Sequence, residues 1–202
     1  MNSQVTLREM GDPLVVSLMP NELPAGDALM LRRWTASMID QLLESIEASQ
    51  PELARWLAWA DPMPTRTAEL EVVANAEQAF AEDRDYPYFL IERASGDLVG
   101  CAGLHPKTGG VVEIGYWVRS DRTRRGYATS AAGALCRAAF TYLPAAEKVI
   151  IRMDQGNAAS ASIPPKLGFS LEGDEALRDT LTTGHTGKGW IWSTPRTSDP
   201  AG

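Results

Sequence analysis

Apolar and polar positions alternate along the chain between two kinds of segment. Residues 86–92, 97–104, 111–118 and 148–153 are short runs dense in β-branched and aromatic side chains, which suit pleated, buried strands. Residues 29–34 form a shorter run of the same kind, and 169–172 and 190–193 are the remaining strand candidates. Residues 93–97 read as a hairpin-like turn, so three antiparallel strands lead up to residue 118.

Helical spacing marks the other segments. Met38, Leu42, Leu43 and Ile46 recur at three and four residues in a helix that Thr35 can cap and that runs to about residue 49. Pro51 suits the first turn of a second helix over 52–59, with Trp56 and Trp59 one turn apart. Two readings stay open for that pair: walls of a substrate pocket, or packing against the sheet. A third helix starts at Thr65 or Thr67 and ends near residue 81, burying Leu70, Val73, Ala76 and Phe80. Residues 129–143 contain little that opposes a helix before Pro144.

The chain divides into an arm or extra strand over residues 1–27, which holds a short apolar run at 14–18 between prolines, one domain over 28–195 and a loose tail over 196–202. Its 202 residues, 44% hydrophobic and 22% charged, suit one soluble domain with a substantial core. The net charge of -7 argues against a general nucleic-acid binder, including a phosphate-binding factor on RNA. It suits an anionic cofactor at one local basic place and an amine-bearing substrate at another. No signal-peptide pattern or membrane-length apolar run is present, so a cytoplasmic protein without a membrane partner is expected. Cys101 and Cys136 lack metal-ligand spacing and read as two buried, reduced thiols.

The most informative stretch is the junction between the strand at 111–118 and the helix at 129–143. Residues 123–128 must turn the chain tightly, and Gly126 with Ala128 lets backbone amides face a ligand. Amides at a helix N-terminus attract anions. Arg119, Arg122, Arg124 and Arg125 add positive charge and side-chain donors, so a ligand carrying several phosphates is expected. The nucleoside-triphosphate P-loop, the dinucleotide fingerprint and the serine nucleophile elbow are missing. His105 and His185 stand alone at helical ligand spacing, so no metal site is expected.

In its order of parts the chain resembles the GNAT acyltransferase superfamily, and within it the RimJ/RimL-like subgroup that acetylates ribosomal-protein N-termini. The resemblance runs over residues 29–194. It is carried by Glu113-Ile-Gly-Tyr-Trp-Val118, Arg125-Gly-Tyr-Ala-Thr129, Asn157-Ala-Ala-Ser160 and Lys166-Leu-Gly-Phe169, with Leu31-Arg-Arg-Trp34 and the tryptophan-rich 53–59 beside them. It implies an α/β (α+β) fold: a mixed, mostly antiparallel sheet, splayed at the central strands and flanked by helices.

It also implies an acetyl-CoA-dependent N-acetyltransferase that works by direct transfer in a ternary complex, with acetyl-CoA as co-substrate. The acceptor would be a primary amine, on a small molecule or a protein N-terminus. The pyrophosphate would lie on Thr123, Arg124, Arg125, Gly126, Tyr127, Ala128 and Thr129, mainly on their amides. The pantetheine arm would pair with the backbone of Trp117 and Val118, and the Asn157 side chain would bond the cofactor. Thr123 departs from the glutamine, arginine or bulky residue usual in the family.

By the same resemblance Glu113 would be the base that deprotonates the ammonium, with Glu172 on a following strand as a second candidate. The other reading of Glu113 is an ion-paired strand carboxylate. Ser160 would be the acid toward the leaving thiolate; its other reading is a helix cap. Pro164-Pro165 should shorten or shift the helix there. An acyl-CoA-binding sensor without turnover is the alternative function, and homodimer formation, common in the family, has no interface that the sequence marks.

Overall fold

The computed structural model describes residues 19–176 and 182–197. The apolar run at 14–18 and the last residues of the tail, 198–202, lie outside them. Eight strands form one sheet: β1 (Glu22–Ala25), β2 (Leu29–Arg33), β3 (Tyr86–Glu92), β4 (Leu98–Pro106), β5 (Val111–Val118), β6 (Lys148–Asp154), β7 (Ser170–Ala176) and β8 (Lys188–Pro195). Their order is β1-β2-β3-β4-β5-β6-β8-β7. Every neighbouring pair is antiparallel except β5 with β6, which are parallel.

Among the described residues five α-helices accompany the sheet. α1 (Ile39–Glu47), α2 (Gln50–Trp56) and α3 (Arg66–Ala81) precede β3, α4 (Tyr127–Tyr142) joins β5 to β6, and the single-turn α5 (Ala158–Ala161) follows β6. Thr65 caps α3 by accepting a hydrogen bond from the Ala68 amide at 3.2 Å. Thr35 does not act this way: it opens a 3-10 turn, Ala36–Met38, without a side-chain cap bond. After α5 the prolines sit in a separate 3-10 turn, Pro164–Leu167, so the helix is short, as the Pro-Pro pair predicts.

Period-two alternation sorts the strand residues between two cores. Tyr88, Leu90, Leu104 and Ile114 face α4, whose Ala131, Ala132, Leu135 and Ala139 are buried against them. Phe89, Ile91, Leu98 and Cys101 face α1, with Leu42 and Ile46, and α3, with Val73. The alanine-rich face of α4 lets the helix approach the sheet closely. Each fully buried leucine or isoleucine in these layers contributes roughly 1.5–3 kcal/mol.

Trp56 and Trp59 do not share a helix. α2 ends at Trp56 and a 3-10 turn, Ala58–Ala60, carries Trp59. Trp56 packs near His185, while Trp59 lies against Trp117 with ring centroids 6.3 Å apart. Both cysteines are free; Cys101 is buried, as expected, whereas Cys136 is only partly so. Among the described residues no helix is long and apolar enough to cross a membrane, and no cluster of three metal-ligating side chains occurs.

Candidate active site

The sheet opens in its middle. β5 and β6 pair only at Val111 with Lys148, Val112 with Val149 and Glu113 with Ile150. Beyond Glu113 each strand stays bonded to its other neighbour, β5 to β4 as far as Val118 and β6 to β8 as far as Asp154. The β6 side of residues 114–118 therefore has no strand partner, and Trp117 and Val118 lie on that free edge. An extended, amide-bearing ligand can add there as a strand would.

The wedge widens toward the turn before α4. Ser120–Arg122 form a 3-10 turn, Arg124 takes φ 60°, and Gly126 takes φ 79° as the residue preceding the helix. A Cβ built at Gly126 would meet nothing within 4 Å, so its surroundings are open to a ligand. Left-handed backbone is what glycine permits at little cost. The amides of Tyr127, Ala128 and Thr129 open the helix without intrahelical acceptors, and no side chain caps them. Free backbone donors in this arrangement can hold an anion.

The arginines divide between anchoring and exposure. Arg122 pairs with Glu92 and with Asp97, each at 3.1 Å, and Arg125 reaches Glu92 at 3.3 Å. Arg119 binds Asp121 at 3.0 Å and Glu44 at 3.3 Å. The Tyr127 phenol also donates to Glu92. Glu92, 8% exposed, is thus the hub that holds the turn to the end of β3. The expectation that the whole arginine cluster serves the ligand narrows to Arg124, which has no ion pair among the described residues, and to the exposed Arg125. The Thr123 hydroxyl donates to the Ser120 carbonyl at 3.1 Å and closes the turn.

Opposite faces of β5 carry different chemistry. On the α1–α3 face His105 of β4 pairs with Asp85, Nδ1 to Oδ1 at 2.6 Å. A carboxylate only accepts, so Nδ1 carries a proton, and in the neutral imidazole the lone pair is then on Nε2. The ring lies over Gly103 and Gly115; a Cβ at either glycine would come within 3.2 Å of it. Gly115 is two residues past the last β5–β6 pair, so the imidazole sits beside the mouth of the wedge. The sequence alone shows His105 as solitary and marks neither it nor Asp85 as a site residue; the pairing appears only in the fold.

On the α4 face Tyr116 reaches across the opening. Its hydroxyl lies 3.1 Å from Ser160 Oγ and donates to the Ser160 carbonyl at 3.3 Å. Burial pushes the Tyr116 phenol up to about 12, with the Ser160 contact opposing that rise, so the phenol is protonated at neutral pH. Ser160 is not the helix cap. Asn157 is, its Oδ1 accepting from the Ser160 amide at 3.1 Å, and this leaves the Asn157 amide nitrogen for another acceptor. Tyr116 was hidden in the apolar pattern of β5.

Of the carboxylates, Glu113 lies 3.4 Å from Lys107 Nζ and 3.6 Å from Arg152 Nε. Its ion-paired reading is the one the structure displays. Glu172 is misplaced for a base, because β6 and β8 stand between β5 and β7, three strand steps of about 4.8 Å each. It accepts from Lys148 at 2.9 Å and Ser193 at 2.8 Å, and these bonds hold its carboxyl below the usual range.

A cavity of about 870 Å³ opens on the α1–α3 face. His105, Asp85 and Gly115 line one part of it, and Trp34, Trp59 and Trp117 another. Glu69 of α3 is also in its lining. The molecule thus combines an unpaired strand edge, an uncapped helix start and a separate cavity on the α1–α3 face.

Comparison with known proteins agrees with this geometry. Residues 28–170 match the family model described as the acetyltransferase (GNAT) domain. YdaF of Bacillus subtilis (strain 168), provisionally named a ribosomal N-acetyltransferase, is 28% identical over 137 residues, which cover 66% of this chain and 73% of that protein. Among solved structures, the microcin C7 self-immunity acetyltransferase MccE, in complex with acetyl-CoA and AMP, superposes with a TM-score of 0.79 at 17% identity. That match covers 89% of this chain and 99% of the other. RimL, the ribosomal L7/L12 α-N-protein acetyltransferase in complex with coenzyme A, gives 0.79 at 17% identity, covering 88% and 99%. RimJ of Mycobacterium smegmatis gives 0.75 at 21% identity, covering 89% and 87%. With its splayed sheet and a family match across most of its length, the chain belongs to the GNAT acetyltransferase family.

Proposed function

We propose that this protein transfers the acetyl group of acetyl-CoA directly to a primary amine, on a protein N-terminus or a small molecule, in a ternary complex. The observation that carries this reading is the wedge between β5 and β6, which opens at one end onto the amides of residues 127–129. An edge of unpaired backbone followed by an anion cradle fits a pantetheine arm and its pyrophosphate in sequence. Trp117 and Val118 would supply the edge; Gly126, Tyr127, Ala128 and Thr129 the amides, with Arg124 and Arg125 beside them. Asn157 would contribute its side-chain amide nitrogen. The names of YdaF and RimL favour a protein N-terminus as acceptor.

When bound, acetyl-CoA supplies a thioester carbonyl in the gap between the strands. The amine enters as an ammonium ion from the α1–α3 face and must lose a proton before its lone pair can form the new C–N bond. His105 Nε2 is placed to accept that proton, with Asp85 fixing the ring and stabilising the charged imidazole. Glu113, the base that the family resemblance suggests, is held by Lys107 and Arg152, and in this reading it shapes the local field. The C–S bond breaks as the C–N bond forms, the nitrogen releases its second proton to solvent, and the thiolate takes a proton on the α4 face from a donor that solvent re-protonates. There Ser160 Oγ, in contact with Tyr116, is the donor.

Incubation with acetyl-CoA and a panel of N-terminal peptides, amino sugars, polyamines and arylalkyl amines, with release of free thiol as the readout, tests the proposal. Thiol release that depends on an acceptor is the expected result. Tight acetyl-CoA binding with no release for any acceptor would instead favour a sensor without turnover.

A further inference from the structure

The cavity on the α1–α3 face contains a carboxyl group that the protein itself does not pair. Glu69 is 7% exposed and lines the cavity, and its carboxylate accepts no hydrogen bond and makes no ion pair among the described residues, although its backbone amide donates to the Thr65 carbonyl at 3.0 Å. Other buried acids are bonded: Glu92 accepts from Ser95, Tyr127 and two arginines, and Asp154 from Thr186 and the Gly156 amide. An unpaired buried carboxylate is costly, and in a folded protein such groups are normally matched by a cation. Among the described residues no lysine, arginine or histidine lies within ion-pair distance of Glu69, although Arg84 lines the same cavity. Burial alone raises its carboxyl above the usual range, and its charge adds to the rise that burial imposes on the Cys101 thiol.

The other walls define what accompanies the missing cation. Trp34, stacked on Phe89 at 5.2 Å, Trp59, 45% exposed, and Trp117 give the cavity aromatic faces, and Leu57 adds aliphatic surface. Indole faces attract cations as well as apolar groups. The cation on the walls, Arg84, is engaged by Glu82 at 2.6 Å. A ligand with its own carboxylate would therefore face Glu69 and Asp85 with no free basic partner shown for it.

We infer that the cavity is the acceptor subsite for an ammonium ion attached to a compact apolar or aromatic body without acidic groups, with Glu69 as the group that receives the cation. This deepens the proposed acetyl-transfer function and rests on it for the word acceptor; the binding itself does not require turnover. The chemistry is shared by arylalkyl amines and by peptide N-termini whose first side chain is apolar. Glu69 is a binding residue here, and the proton is left to His105.

Binding without acetyl-CoA separates the two ideas. Calorimetry and indole fluorescence are followed as 2-phenylethylamine, phenylalanine, Phe-Gly-Gly amide and Asp-Gly-Gly amide are added to the full chain. Saturable binding of 2-phenylethylamine or Phe-Gly-Gly amide is expected, at least tenfold tighter than that of phenylalanine or Asp-Gly-Gly amide respectively. Which of the first two binds tighter identifies a small amine or a peptide terminus as the source. Glu69→Gln should weaken the binding about 10–100-fold, the loss of one charge-assisted contact. The same variant without ligand should melt a few degrees higher than the parent, because an unpaired buried charge has gone.

Equal affinity of Glu69→Gln and parent, preference for the acidic ligands, or a lower melting point with unchanged affinity would each overturn the inference. Binding as expected with no thiol release would leave it standing and overturn the transferase reading. Release that occurs equally in Glu69→Gln would do the reverse.

Discussion

His105 Nδ1 lies 2.6 Å from Asp85 Oδ1, and this one contact sets the imidazole over Gly115 at the point where β5 and β6 part. General bases contribute roughly 10²–10⁴-fold. His105→Gln should therefore lower kcat by about 100-fold while leaving acetyl-CoA affinity within twofold. Asp85→Asn, which keeps a partner but not the charge, should lose about tenfold. Steady-state rates, with calorimetric titration of the cofactor, check both. If His105→Gln keeps the parental kcat and Glu113→Gln loses it, Glu113 is the base.

Gly115 gives a second handle on the same ring. A Cβ there would stand 3.2 Å from His105 Nε2, close enough to displace the imidazole, and its neighbours otherwise leave it room. Gly115→Ala should lower kcat by about tenfold while changing the melting temperature by less than about 3 °C, a stability effect of at most roughly 1 kcal/mol. Kinetics together with thermal unfolding distinguish this from a folding defect.

The sequence reveals the cofactor side of the site far better than the acceptor side, and the reason is physical. Gly126, the helix start and the wedge edge are local features: strand, turn and helix follow one another, and backbone amides supply the chemistry. The His105–Asp85 pair is not local. It depends on the β3–β4 register, which shifts between Leu90 and Ile91 and so sets Tyr86 opposite Leu104; one residue further out on each strand are Asp85 and His105. Without that shift Asp85 would align with Leu104, a hydrophobic core residue. Glu69 left a weak trace, since it stands four residues before Val73 in the stripe that continues through Ala76 and Phe80. An acid in an apolar stripe marks a buried charge, but only the fold shows that no cation answers it. Trp56 and Trp59 mislead for the opposite reason: their spacing is helical, whereas the helix stops at Trp56.

Tyr116 and Ser160 face each other across the wedge from the other side. Their hydroxyls are 3.1 Å apart and the phenol is protonated, so either can stabilise a developing thiolate. Tyr116→Phe and Ser160→Ala should each lower kcat about tenfold, with the double variant well short of the product, because the two act as one unit. Replacing acetyl-CoA by a thioester with a more acidic leaving thiol should restore much of the loss. If both variants lose affinity for acetyl-CoA and no turnover, the pair belongs to binding alone.

Glu92 links the phosphate cradle to the stability of the fold. Its carboxylate accepts from Tyr127, from Ser95 at 2.8 Å, from Arg122 at 3.1 Å and from Arg125 at 3.3 Å. The Tyr127 and Ser95 bonds, then the two arginines, hold its carboxyl below the ordinary value of 4.5. Because the folded value is the lower one, the unfolded chain binds the proton first as pH falls. The stabilisation is full above about pH 4.5 and is lost progressively as pH drops through the folded value. Glu92→Gln keeps the shape but leaves Arg125 without its anion and Arg122 with the acidic partners Asp97 and Asp121 alone, and should cost about 1.5–3 kcal/mol at pH 7. The gap between variant and parent should shrink as pH is lowered below 4.5, where the parent loses the same charge. The turn that holds the amides of residues 127–129 should loosen with it, so that acetyl-CoA affinity falls several-fold at pH 7 as well. Denaturant unfolding at a series of pH values, paired with cofactor titration, checks the coupling. A stability difference that stays constant down to pH 3 would show that Glu92 does not act through its charge.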